Sequence, residues 1–111
     1  MTEEFSPDIS VEELSRRLAE GDAPTILDVR LHEELEIAAI DGDVLHIPLH
    51  LLPVRVDELD AEREYAVLCH HGNRSWQATH YLRARGYKGP RNVQGGIDRW
   101  SAVVDPEVPR Y

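Results

Sequence analysis

The residues best equipped for covalent chemistry lie in Cys69-His70-His71-Gly72-Asn73-Arg74-Ser75, around the single cysteine of the chain. An apolar run, Ala66-Val67-Leu68, leads into the thiol, and a helical pattern follows it. That order puts Cys69 at the carboxyl end of a buried strand, beside the N-terminus of a helix. Backbone N–H groups without intrahelical partners converge at such a point, and the helix dipole there favours negative charge. A cysteine so placed tends toward the thiolate, the nucleophilic form of sulfur. Gly72 permits a turn with positive φ, so that successive amides can aim at one point and form an anion nest. Arg74 adds a fixed positive charge. The expected product is a cradle for a thiolate, a persulfide or an oxyanion. A free cysteine is often simply a buried core residue. The sequence His, His, Gly, Asn, Arg after it is not a core pattern, which favours the nucleophile.

The other candidates carry weaker signals. His70 and His71 can tune the thiolate or touch substrate, yet exposed loop histidines often do neither, so both readings stay open. His46 and His50 have a metal-like spacing, but Pro48 lies between them and keeps them from sharing a helical face, so no metal site is expected. Asp28 and Arg30 sit at a strand end near the presumed site, where they are expected to tie loops together through hydrogen bonds and an ion pair. Trp76 and Trp100 read as packing residues.

The elements that must position these groups follow from capping and periodicity. Ser10 and Glu13 form a capping box, Val11, Leu14 and Leu18 follow at helical spacing, and Gly21 ends the helix. Thr25-Ile26-Leu27 reads as a buried strand leading to Asp28, and Glu33 to Ala39 as a weak helix. Val44 to Ile47 reads as a strand closed by Pro48. Leu49 to Leu59 is helical with an interruption at Pro53. Tyr65 to Leu68 is the strand that delivers Cys69. Ser75 to Arg85 is the strongest helix, with Ala78, Tyr81 and Leu82 on one face. Arg91-Asn92-Val93 is a last strand, and Gly95-Gly96 opens a helix to about Val103. Short apolar strands alternating with helices predict a parallel sheet covered on both faces, with the active site at the carboxyl ends of its strands.

Composition narrows the function. At 111 residues and 41% apolar, the chain can bury a core as one domain over residues 1–111. The formal charge of −9, from 21 acidic and 12 basic residues, argues against nucleic acid and against anionic membrane surfaces as partners. Residues 69–100 are locally basic, so the presumed site lies in the less negative half. No run approaches the ~18 apolar residues of a membrane span. The acidic stretch Met1 to Asp8 lacks an apolar signal-peptide core, and a lone free thiol suits a reducing compartment. A cytoplasmic location is therefore expected.

These motifs, in this order, resemble those of the rhodanese-like sulfurtransferase domain, over about Asp8 to Tyr111. The resemblance rests on Asp28-Val29-Arg30 with Glu34, on Ile47-Pro48-Leu49, on the loop Cys69 to Ser75, and on Gly95-Gly96-Ile97-Asp98-Arg99-Trp100. The closing segment Val104 to Tyr111 is similar to single-domain bacterial members and to domains fused to sulfur-carrier adenylyltransferases. Ala39-Ile40-Asp41 departs from the pattern in an outer loop. The resemblance implies an α/β fold with a central five-stranded parallel sheet in the order 1-5-4-2-3. It also implies transfer of a sulfane sulfur from a donor such as thiosulfate or a protein persulfide, through a Cys69 persulfide, to cyanide, a thiol or a sulfur-carrier protein. Cys69 would be catalytic, and His70, His71, Gly72, Asn73, Arg74 and Ser75 would bind substrate, Arg74 by orienting an anionic donor. No metal or organic cofactor is implied. The rival enzyme is a cysteine phosphatase of related fold. Its loop is one residue longer, and it needs a general acid that this loop lacks. The rival from another class is a non-catalytic binding module, which usually loses the cysteine retained here.

Overall fold

A computed structural model of the chain describes residues 6–111; Met1–Phe5, and with them most of the acidic N-terminal stretch, lie outside the described residues. The elements run β1 (Asp8–Ile9), α1 (Val11–Ala19), β2 (Thr25–Asp28), α2 (His32–Ile37) and β3 (Val44–His46). After a 3₁₀ turn come α3 (Leu52–Arg55), β4 (Tyr65–Leu68), α4 (Asn73–Ala84), β5 (Pro90–Val93) and α5 (Gly96–Val103). The five strands form one sheet in the order β1-β5-β4-β2-β3, and every pairing is parallel. This is the order that the resemblance implies.

Two apolar layers cover the sheet, and the pleat divides the strands between them. Ile26, Ala66, Leu68 and Val93 pack with Val11 and Leu14 of α1 and with Ile97 and Trp100 of α5. Leu27, Val67 and Cys69 face the other way, against Leu52 of α3 and Ala78 and Leu82 of α4. Each of β2 and β4 is buried at all of its residues, as strands covered on both faces must be. Cys69 therefore leaves the middle of the sheet from a central strand, on the α4 side.

Several boundaries differ from the sequence reading for physical reasons. β1 spans only two residues, too few for a hydrophobic period to register. The capping box of α1 is half formed: Ser10 Oγ accepts from the Glu13 amide, but the Glu13 carboxylate turns to Arg91. α2 is the shorter segment His32–Ile37. The stretch expected to be helical with an interruption at Pro53 is a single turn of α-helix, with Pro53 in that turn, flanked by 3₁₀ turns. Trp100 packs in the core, whereas Trp76, also read as a packing residue, is 53% exposed and packs on His80 at the surface. Residue 76 falls on the solvent side of α4 because Ser75, Ala78, Thr79 and Leu82 take the inner face.

Asp28 and Arg30 do tie the strand ends together. The Arg30 side chain is fully buried, and its Nε and Nη2 donate to the Asp28 carboxylate. Its Nη1 donates to Tyr111 Oη at 3.0 Å and to the Glu34 carbonyl. A buried carboxylate stripped of its cation is costly, so Arg30→Leu is expected to destabilise by about 3–5 kcal/mol. Thermal denaturation should show this as a fall in Tm of more than about 10 °C.

Candidate active site

The site is built where β4 ends and α4 begins. Gly72 is the N-cap of α4, with φ of 104°. A side chain there would be strained and would crowd the Gly95 amide. The helix starts at Asn73, two residues before the sequence reading placed it, so Arg74 and Ser75 lie in the first helical turn rather than in the loop. The Gly72 N–H donates to Cys69 Sγ at 3.1 Å, and Ser75 Oγ lies 3.2 Å from the same sulfur. Ser75 Oγ–H also bonds Asn92 Oδ1 on β5. Cys69, Ser75 and Asn92 are all buried, so this chain of polar atoms is satisfied within the core. The first intrahelical bond runs from the Trp76 amide to the Gly72 carbonyl. The amides of Asn73, Arg74 and Ser75 precede it and remain available as donors at the helix start.

α5 fixes the loop from behind. The Ile97 and Asp98 amides donate to the Cys69 and His70 carbonyls at 2.9 and 3.0 Å. In a trans peptide the next N–H points opposite to the carbonyl, so the His70 and His71 amides are aimed away from α5. This approach needs Gly96: a Cβ there would lie 2.4 Å from the His70 carbonyl oxygen and 2.6 Å from that of Cys69. The Gly95-Gly96 pair thus starts a helix, as the sequence suggests, and also lets that helix touch the active loop.

Arg74 differs most from expectation. Its Nη1 and Nη2 donate to the two Glu34 oxygens at 2.6 and 2.8 Å, closing a bidentate ion pair. Glu34 Oε1 also accepts from the Leu31 amide, and Oε2 from the Tyr111 hydroxyl at 2.8 Å. The guanidinium expected to orient an anionic donor is thus engaged by Glu34, with about a third (33%) of its side chain exposed. The Arg74 hydrogen bonds pull the Glu34 carboxyl down to about 2, against the opposing effect of burial. Glu34 in turn raises Arg74 above its ordinary value.

The histidines are placed by stacking. The His70 ring lies 3.8 Å from the Tyr111 ring and nearly parallel to it, and His71 packs on His70 at 3.8 Å with a 31° tilt. His70 Nε2 is buried without a hydrogen-bond partner among the described residues. One group there brings three metal-ligating side chains within 4.8 Å: His70, His71 and Asp98. Asp98 is held by Arg110 through both carboxylate oxygens. His46 Nε2 lies 2.7 Å from the Arg30 carbonyl oxygen, a structural contact.

Sequence reasoning missed Asn92 and Tyr111. Asn92 was visible only as a polar residue in a short strand. Tyr111 was visible only as an aromatic ending a polar, proline-rich segment.

Residues 10–103 match the family model of the rhodanese-like domain. The chain belongs to the rhodanese-like domain family. It is 36% identical over 104 residues to a sulfurtransferase of Allochromatium vinosum, covering 90% of this chain and 96% of that protein. It is 38% identical to a putative sulfur carrier protein of Bacillus subtilis, spanning 89% of this chain and about half (53%) of that one. A crystal structure of a rhodanese-like domain protein from Staphylococcus aureus superposes with a TM-score of 0.77 at 31% identity, over 84% of this chain and 89% of that one. No helix of the described residues is long and apolar enough to cross a membrane.

Two outcomes follow from this geometry. Ser75→Ala leaves Asn92 Oδ1 unpaired in the core and should cost about 1–3 kcal/mol, measured by denaturant unfolding. The Glu34 carboxyl is depressed from 4.5 to about 2 on folding, so its contribution is complete above the ordinary carboxylate value and is lost as pH falls through about 2. The stability gap between wild type and Glu34→Gln should accordingly be widest at neutral pH and close toward pH 2.

Proposed function

We propose that this rhodanese-like chain is a sulfurtransferase that carries a sulfane sulfur on Cys69. The observation that carries the reading is the seat of the lone thiol: buried, at a central strand end, with its sulfur bonded by the Gly72 amide at the start of α4. The Cys69 thiolate attacks the outer sulfur of thiosulfate. The S–S bond of the donor breaks, sulfite leaves with the electron pair, and Cys69 becomes a persulfide anion. Cyanide or a thiolate then attacks the outer sulfur, taking it as thiocyanate or a new persulfide and returning the Cys69 thiolate. These are two half-reactions of covalent catalysis, with ping-pong kinetics expected. The amides at the start of α4 and those of His70 and His71 are placed to receive the negative charge of the persulfide. No cofactor enters the scheme.

The chain has one cysteine, so it cannot release its persulfide as an internal disulfide. The acceptor is external: cyanide, a small thiol, a thioredoxin-like protein or a sulfur-carrier protein. The similarity to a putative sulfur carrier protein of Bacillus subtilis is consistent with the last of these. A phosphatase reading is disfavoured by the four residues between Cys69 and Arg74 and by the loop's lack of an acidic residue.

Intact-mass spectrometry tests the assignment. Thiosulfate should add one sulfur atom to the wild-type chain, reductant should remove it, and Cys69→Ser should gain none. Single-turnover decay of the adduct should speed up with acceptor concentration. Hydrolysis of aryl phosphates faster than sulfur transfer would show the assignment to be wrong.

A further inference from the structure

We propose that Glu34 sets donor specificity by holding Arg74 in a closed ion pair, so that a small dianion such as thiosulfate is a weak donor and a persulfide of low charge is preferred. This rests on the sulfur-transfer reading and names a residue that decides its substrate.

The pair is built to stay closed. Both terminal nitrogens of Arg74 are used by Glu34. Glu34 is itself fixed by the Leu31 amide and the Tyr111 hydroxyl. Tyr111 is held by Arg30, and Arg30 by Asp28, at the core of the molecule. A donor that claimed Arg74 would break two charge-assisted bonds and leave a mostly buried carboxylate without its cation. Arg99 and Arg110 stand in exposed ion pairs with Glu12 and Asp98, outside this buried chain of contacts.

A persulfide donor needs no such cation. The Cys69 thiolate attacks the outer sulfur of R–S–S⁻, the donor S–S bond breaks, and R–S⁻ leaves as Cys69 becomes the persulfide. Charge is conserved, two negative charges before and after, and the amides around the loop hold the persulfide anion formed on Cys69.

The experiment compares thiosulfate with cysteine persulfide as donors, cyanide being the acceptor, in four proteins. These are wild type, Glu34→Gln, the double variant Glu34→Gln/Arg74→Gln, and Glu20→Gln. Glu20 lies on exposed surface at the end of α1 and controls for the lost negative charge. Opening Arg74 in Glu34→Gln should lower the thiosulfate KM about tenfold, the size of one charge-assisted contact, while kcat stays within about threefold. Cysteine persulfide should change by less than about threefold in every variant. The double variant should return thiosulfate to within about threefold of wild type, and Glu20→Gln should match wild type. The double variant has no uncompensated charge at the site, so it decides the question even if Glu34→Gln alone does not fold. A double variant about tenfold or more worse than wild type toward thiosulfate would mean that Arg74 already anchors this donor, and would overturn the proposal. An unchanged or higher thiosulfate KM in folded Glu34→Gln, with the Cys69 persulfide still forming, overturns it too and leaves sulfur transfer standing. If neither donor places sulfur on wild-type Cys69, the sulfur-transfer reading itself fails, and this proposal with it.

Discussion

The contact between the start of α5 and the backbone of Cys69 and His70 carries the site. Two helical amides grip two consecutive carbonyls, and Gly96 lets the backbones meet where any side chain would collide with both. Holding both carbonyls on one side directs the following amides to the other. The cradle is thus set by a hydrogen-bonding constraint between β4 and α5, elements far apart in sequence but joined through the sheet by β5. Without that grip, a short glycine-containing loop would have no reason to keep one conformation.

A second chain of interactions closes the opposite rim. It runs from buried Asp28 through Arg30 and the Tyr111 hydroxyl to Glu34, and from there to Arg74 in the first turn of α4. Each hydroxyl or carboxylate in it donates or accepts with a definite partner, which suits a low-dielectric location. The Tyr111 ring adds a stacking surface for His70. The closing segment of the chain is therefore part of the active-site wall. The Arg74 charge near the thiol is balanced locally by Glu34.

Much of this was legible in the sequence. The capped first helix, the buried strands β2 and β4, the helix after the loop and the terminal Gly-Gly helix all carry local signals, and the structure places them close to where those signals point. A lone cysteine after an apolar run and before a helical pattern locates the nucleophile, because strand and helix periods are local properties of the chain. Asp28 and Arg30, two residues apart, announce their own pairing. The features that stayed hidden are non-local. β1 is too short to show a period and exists because β5 offers it an edge. Trp76 reads as a packing residue by type, but the helical phase set by Ser75, Ala78, Thr79 and Leu82 turns it outward.

The sequence by itself determined the chemistry available: one thiol, one arginine near it, glycines where the backbone must turn, and strands and helices in an alternating order. Tertiary structure decided what that chemistry faces. Asn92 reaches the sulfur only through Ser75, and Tyr111 lies 77 residues from Glu34 along the chain yet touches it. Whether Arg74 is an open cation or half of an ion pair depends on the fold bringing Glu34 of α2 to it, and no spacing within the loop encodes that. Local propensity acts over a few residues, whereas charge pairing and stacking depend on distances fixed only when the sheet assembles.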